Sequence, residues 1–441
     1  ILNYVLPLGL KLNKKELFGP GFDGIVSDEV LDRIGKLSAG RISFVQDINE
    51  RYYPNVSTDG IVRQLRHKVG QFSTIPYLTF HVCEMSPLHL ATYKDFLANT
   101  RQLDMPDTDA EGPIDNTSIS LPADSYTIID MCFPNPRSDK IGLYKSAETK
   151  VELASASNEW KQKNKVRVST VGNLFNISGE WLHMSNVGQY SAKLFELGKA
   201  IEESFERSRA RLRESASDES FVPYIAGEKM LVYHERVRSS GVLLISAFMR
   251  ENNIIDEFSE PVDGTRCAIC GGSMGNHVEY VAKENLSKHM YYPCRFVSAH
   301  SEVEKTSMLA SLERYNSGDN SYGTRFKFLV GSKIIRQSYD IKDTEYMVIM
   351  SLPIHISGLI QLRGRVERHG SHLGLPQNRR NVTFSYYITT IPDSETSIDG
   401  VSLEEYRYVD KLSAYMQIQR IVNYFHEYVM DGPLMHVRVR R

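Results

Sequence analysis

The hydrophobic pattern of the chain is most readable between residues 325 and 372, where it changes period three times. Residues 326–330 (Phe-Lys-Phe-Leu-Val) form a short apolar run rich in β-branched and aromatic side chains, which predicts a buried parallel strand. Gly331, Ser332 and Lys333 follow at once, a glycine and a hydroxyl at the strand's carboxyl end, where open α/β sheets place their ligands. A polar loop to Asp340 leads to a second predicted strand over residues 346–350, closed by Pro353. From Ser357 onward Leu359, Ile360, Leu362 and Val366 fit one helical stripe, and Arg365 and Arg368 share another face of the same predicted helix.

Similar reasoning extends in both directions. Residues 230–233 predict a strand and 241–254 an amphipathic helix, and residues 382–388 predict another strand. Leu194, Leu197, Ile201 and Phe205 recur at helical spacing among charges. Residues 403–430 predict a long helix whose stripe of Tyr406, Leu412, Tyr415, Ile418, Ile421 and Phe425 is read as packing. Near the amino end, residues 28–37 predict a charged helix and residues 40–45 a strand. Residues 104–125 and 215–220 are polar and read as linkers. The mostly basic run 207–213 is read as an exposed helix face rather than as a track for a phosphate backbone. Strands alternating with helices predict an α/β fold with a parallel sheet.

Composition sharpens this only at a few points. The chain has 441 residues, 41% hydrophobic and 24% charged, enough for two or three globular domains. A net charge of -2 gives no global nucleic-acid signature, so such binding must rest on local basic groups. No run of 18 or more apolar residues occurs and nothing resembles a signal peptide, so a soluble intracellular protein without a membrane partner is expected. Five cysteines are too few and odd in number for a disulfide framework. The chain opens on Ile1, from which a fragment or processed product is expected.

Cys267 and Cys270 form a Cys-x-x-Cys knuckle followed by two glycines, which free the backbone so that both thiolates can reach one tetrahedral metal. His277, His289 and Cys294 are candidates to close the shell. The expected site is zinc held by Cys267, Cys270, His277 and His289.

Two arginines beside Gln361 and Gly364 suit a clamp on a phosphoryl group on which negative charge builds. The string Gln361-Leu362-Arg363-Gly364-Arg365-Val366-Glu367-Arg368 resembles motif VI of superfamily 2 helicases, and residues 329–341 resemble their motif V. Residues 296–301, a strand ending in His300, and residues 229–234 are similar to the elements that precede these. The run 364–372, ending Gly-Ser-His, together with Gly331-Ser332-Lys333, is similar to the helicase-like transcription proteins of nucleocytoplasmic large DNA viruses, among them the small subunit of the viral early transcription factor and nucleoside triphosphatase I. Residues 84–89 resemble a further family element, with His89 where the family tends to have Gln.

The resemblance implies a RecA-like helicase C-terminal domain over residues 221–400, with a Cys/His insert at 265–294. Residues 1–110 would end or extend the first helicase domain, 111–220 would connect, and 401–441 would form a helical extension. It further implies ATP with Mg2+ as cofactor, Arg365 and Arg368 as catalytic fingers, and Gln361, Gly364 and Asp340 at the nucleotide. His300, Ser332 and Lys333 would lie on the nucleic-acid backbone. The implied partners are DNA and a viral RNA polymerase or second transcription-factor subunit, and the implied location is the virion and the host cytoplasm. No Gly-x-x-x-x-Gly-Lys-Ser/Thr phosphate loop occurs in the sequence, so the chain is expected to be the arginine-finger half of an ATPase, inactive alone. The competing readings are a catalytically inactive RecA-like module that binds DNA or polymerase, and a chromatin-remodeller-like translocase.

Overall fold

The computed structural model describes residues 28–38, 52–69, 72–75, 78–100, 123–171, 174–215, 220–336, 339–353, 355–394 and 401–428. The strand expected at 40–45, most of both predicted linkers, Ser338 and the side chains of Ile418, Ile421 and Phe425 lie outside the described residues.

The strands are β1 (Asn55–Asp59), β2 (Gln64–Val69), β3 (Phe72–Thr74), β4 (His81–Glu84), β5 (Arg167–Val171), β6 (Leu174–Ser178), β7 (Met230–Tyr233), β8 (Ile255–Asp256), β9 (Arg295–Ala299), β10 (Phe328–Gly331), β11 (Tyr346–Ile349) and β12 (Asn381–Thr390). The main helices are α1 (Asp28–Ser38), α2 (Pro87–Thr100), α3 (Ala123–Asp130), α4 (Ala192–Glu214), α5 (Val242–Glu251), α6 (His277–Lys283), α7 (Lys305–Tyr315), α8 (Ile356–Arg363) and α9 (Leu403–Tyr428). One sheet runs β1-β12-β11-β7-β10-β9-β8, and every pairing in it is parallel. β12 is long enough to take two neighbours in tandem on one edge: Asn381 to Ser385 pair with β1, and Tyr387 to Thr390 pair with β4. Residues before position 100 therefore build part of the same sheet as residues 230–390. β2 with β3, and β5 with β6, form separate antiparallel hairpins.

Both faces of the central strands are covered, which is why β7, β10 and β11 are wholly buried and read as unbroken apolar runs. Alternate residues divide between the two faces. Met230, Val232, Phe328, Val330 and Val348 join one core with Leu197, Ile201 and Phe205 of α4 and Ile245 and Phe248 of α5. Leu231, Tyr233, Leu329, Met347 and Ile349 join the other with Met308 and Leu312 of α7, Leu359 and Leu362 of α8, and Tyr408 and Leu412 of α9.

The basic run on α4 is not the exposed face expected from sequence. Arg207 and Arg211 both pair with Glu228, which is 2% exposed, while Arg209 and Arg213 pair with Glu206, and Arg213 also with Glu284. The pairs to Glu228 and Glu284 hold the helix to the domain, those to Glu206 lie within the helix, and together they leave little charge for a phosphate backbone.

His89 sits in the first turn of α2, which Ser86 caps by accepting the His89 N–H at 3.1 Å and which opens with Pro87 at a position where proline is favoured. The imidazole is fully buried; Nε2 donates to the Ile128 carbonyl at 2.7 Å and Nδ1 has no hydrogen-bond partner among the described residues. Burial pushes its pKa down to about 4. An unfolded histidine binds its proton near pH 6.5, so the unfolded chain holds more protons between those values, and stability present above pH 6.5 is lost as pH falls towards 4. The loss should reach up to about 3 kcal/mol. His89→Gln, which keeps a donor for Ile128, should flatten the fall in urea midpoint between pH 6.5 and 4.5; an unchanged profile would refute the assignment.

Candidate functional site

The residues expected at the nucleotide and at the nucleic acid gather where the parallel strands end. β10 runs into Ser332, whose N–H donates to the Ala299 carbonyl of β9 at 3.0 Å, and a single 3-10 turn (Lys333–Arg336) follows. Gly331 permits this: a Cβ there would lie 1.6 Å from Cδ1 of buried Ile335. Ser332 is 1% exposed and its Oγ has no hydrogen-bond partner among the described residues, and His300, at the adjoining end of β9, is 5% exposed. Burial also holds the His300 pKa below its ordinary value. In this arrangement Lys333 is the exposed member of the trio.

Arg365 and Arg368 do not lie on a helix. α8 stops at Arg363, and Gly364 caps it by donating to the Ile360 carbonyl at 3.0 Å. The chain then turns because Val366 is fully buried and draws it into the core. The turn is tied to the loop before β11 on both sides: the Arg365 carbonyl accepts the Ile341 N–H at 3.0 Å, and Arg365 Nε donates to the Arg336 carbonyl at 3.2 Å. The Arg368 guanidinium pairs with Asp340, both side chains being about half exposed. Arg365, Arg368 and Asp340 thus converge on one surface, with exposed Gln361 and Gly364 at the end of α8 beside them.

Arg336 completes this surface and was not singled out in the sequence. It pairs with Glu235 at 2.8 Å and comes within 2.3 Å of where a Cβ on Gly358 would stand, so it braces the end of β7 against α8. Only its place inside the run 329–341 that resembles motif V could have flagged it.

The Cys/His insert between β8 and β9 brings Cys267, Cys270, His277 and His289 together, their ligand atoms all within 4.8 Å of one another. Cys294 is outside this group and packs into the main core.

Residues 251–370 match the helicase conserved C-terminal domain family. The early transcription factor large subunit homolog of African swine fever virus (isolate Pig/Kenya/KEN-50/1950) is 32% identical over 98% of this chain and 35% of its own length. The chain therefore spans about a third of the length of such relatives. A putative ATP-dependent RNA helicase, L538, of Acanthamoeba polyphaga mimivirus is 33% identical over 28% of this chain and 24% of its own. The early transcription factor 70 kDa subunit of Molluscum contagiosum virus subtype 1 is 30% identical over 23% of this chain and 16% of its own. Similarity along nearly the whole chain thus falls on a large-subunit homolog, and similarity over about a quarter of it on a 70 kDa subunit. Among the described residues no helix is long and apolar enough to cross a membrane. The chain carries a RecA-like helicase C-terminal domain and belongs with the helicase-like early transcription factor relatives of nucleocytoplasmic large DNA viruses.

Proposed function

We propose that this chain is the arginine-finger half of a nucleic-acid-dependent ATPase, a DNA translocase of superfamily 2 acting in viral transcription. The observation that carries this reading is the convergence of Arg365, Arg368 and Asp340 on one accessible surface at the end of a parallel sheet. ATP with Mg2+ would be anchored by a first RecA-like domain that carries the phosphate loop, and its γ-phosphate would meet the two guanidiniums across the cleft. The Arg368–Asp340 pair is half exposed on both sides, so separating it costs about 0–1 kcal/mol, less than a charge-assisted contact to a phosphoryl group returns. Gln361 would report on the nucleotide, and Lys333 would hold a phosphate of the tracked strand without reading its base. Closure of the cleft would then move or open duplex DNA, alongside a second transcription-factor subunit or the viral RNA polymerase.

The test is ATP turnover by the natural full-length polypeptide, with and without double-stranded DNA. DNA-stimulated turnover is expected. No turnover under either condition would overturn the motor reading in favour of an inactive RecA-like docking module, which the lack of a phosphate loop in these 441 residues favours.

A further inference from the structure

The insert leaves the sheet after β8 and returns to it at β9, and its two ends are zipped together: Cys294 N–H donates to the Arg266 carbonyl and Ala268 N–H to the Tyr292 carbonyl, both at 2.7 Å. Between them the chain makes a tight knuckle, with Gly271 N–H donating to the Cys267 carbonyl at 2.9 Å and Cys267 N–H to the Gly272 carbonyl at 2.7 Å. Gly271 has φ +76°, a left-handed conformation suited to glycine, and Gly272 N–H points at Cys270 Sγ, 3.4 Å away. The knuckle therefore turns both sulfurs to the same side. α6 brings His277 to them, and the returning segment brings His289.

We propose that Cys267, Cys270, His277 and His289 bind one structural zinc ion, which fastens the insert to α4. Three observations carry this. First, the four ligand atoms lie within 4.8 Å of one another, with Cys267 Sγ 3.9 Å from His289 Nε2. Tetrahedral zinc, with Zn–S near 2.3 Å and Zn–N near 2.05 Å, sets its donors about 3.3–3.8 Å apart, so a modest contraction forms the shell. Second, the imidazoles are prepared for a metal. His289 Nδ1 donates to the Ser287 carbonyl at 2.9 Å, which leaves the Nε2 lone pair facing the cysteines. His277 Nε2 is buried with no hydrogen-bond partner among the described residues, a costly state for a polar atom that a metal would relieve. Third, the shell is closed: four protein donors, with all three groups other than His289 buried, leave no position for a substrate, as in structural rather than catalytic zinc sites.

The ion's consequence reaches beyond the insert. The small apolar cluster around the knuckle, Ile269, Val281 and Leu286, is completed by Leu212 of α4 and by Ala226. Arg209 Nη1 donates to the Cys270 carbonyl at 2.9 Å and Ser287 Oγ to the Leu212 carbonyl at 2.8 Å, so metal-binding segments hold the last turns of α4 directly.

The measurement is metal content of the full-length protein purified without chelator, by inductively coupled plasma mass spectrometry. About one zinc per chain is expected. Cys267→Ser and Cys270→Ser should abolish it, and Cys294→Ser and Cys83→Ser should keep it. A metal-free protein, zinc retained by the Cys267→Ser/Cys270→Ser double variant, or zinc lost with Cys294→Ser would overturn the site. Should the cysteine variants be insoluble, cobalt exchanged into the unaltered protein decides: thiolate-to-cobalt charge transfer with tetrahedral d–d bands supports the site, and their absence overturns it. Hydrogen exchange after chelation reads the second half of the proposal. Faster exchange across residues 206–214, with β10 and β11 still protected, is expected; unchanged exchange in α4 would show that the ion does not fasten it.

Discussion

Arg365→Ala in the full-length polypeptide should lower DNA-stimulated ATP turnover by about 10³- to 10⁵-fold, the range spanned by loss of an arginine finger. That corresponds to about 4–7 kcal/mol of transition-state stabilisation. Among the described residues only the Nε of this side chain is engaged, at the Arg336 carbonyl, so the terminal nitrogens remain for a phosphoryl group while the backbone on either side of the guanidinium is fixed. A guanidinium held this way is oriented before the nucleotide arrives, which is what makes it worth more in the transition state than in the ground state. The loss should therefore fall on kcat, with KM for ATP little changed. Arg365→Lys should not rescue, because an ammonium cannot hold the Arg336 carbonyl and a phosphoryl oxygen in the same planar geometry. The fold should survive, since one part-buried hydrogen bond contributes only about 1 kcal/mol. A kcat within tenfold of the unaltered protein would remove Arg365 from the chemistry.

How much of this could be read from the sequence depended on whether a feature is local. β7, β10 and β11 were legible because burial on both faces leaves them continuously apolar, and the Cys-x-x-Cys knuckle because both ligands sit in one turn. The end of α8 was not legible. Val366 fits the helical stripe just as well as it fits a buried turn residue, and only the packed structure distinguishes them. β1 was missed because Asn55-Val56-Ser57-Thr58-Asp59 is a mostly exposed edge strand with no apolar signal; its place is set by the length of β12. Sequence offered Cys294 beside His277 and His289 for the metal and preferred the two histidines. The pleat separates them: Cys267 faces Pro293 across the zipped ends, and Cys294, the next residue, turns its thiol into the opposite core.

The feature most hidden from the sequence is also the one whose removal should cost the fold most. Lys193 at the start of α4 is 1% exposed, and its Nζ reaches Asp130 Oδ1 at 3.0 Å, Glu404 Oε1 at 2.7 Å and the Met350 carbonyl at 2.7 Å. Asp130 also accepts from Ser240 Oγ at 2.7 Å and lies 3.0 Å from His234 Nε2, while Glu404 accepts the Thr389 N–H at 2.7 Å. One ammonium thus ties α3, the end of β11 and α9 together beyond the carboxyl ends of the strands. Burial alone would raise the Asp130 pKa, but Lys193 and His234 beside it outweigh that and hold it well below the usual carboxylate range. Its share of the stability is therefore present above the ordinary aspartate pKa and persists into acid. Glu404 goes the other way, because burial outweighs Lys193 there. Lys193→Met would keep the stem's packing yet remove the ammonium that the buried Asp130 and Glu404 carboxyl groups share, leaving Asp130 to His234 and Ser240. The expected cost at pH 7 is about 3–5 kcal/mol, seen as a fall in urea midpoint. Adding Asp130→Asn and Glu404→Gln should recover part of it, since the penalty comes from unpaired charge rather than from lost contact area. A Lys193→Met variant within 1 kcal/mol of the unaltered protein, or a triple variant weaker than the single one, would mean that the three charges do not act as one unit.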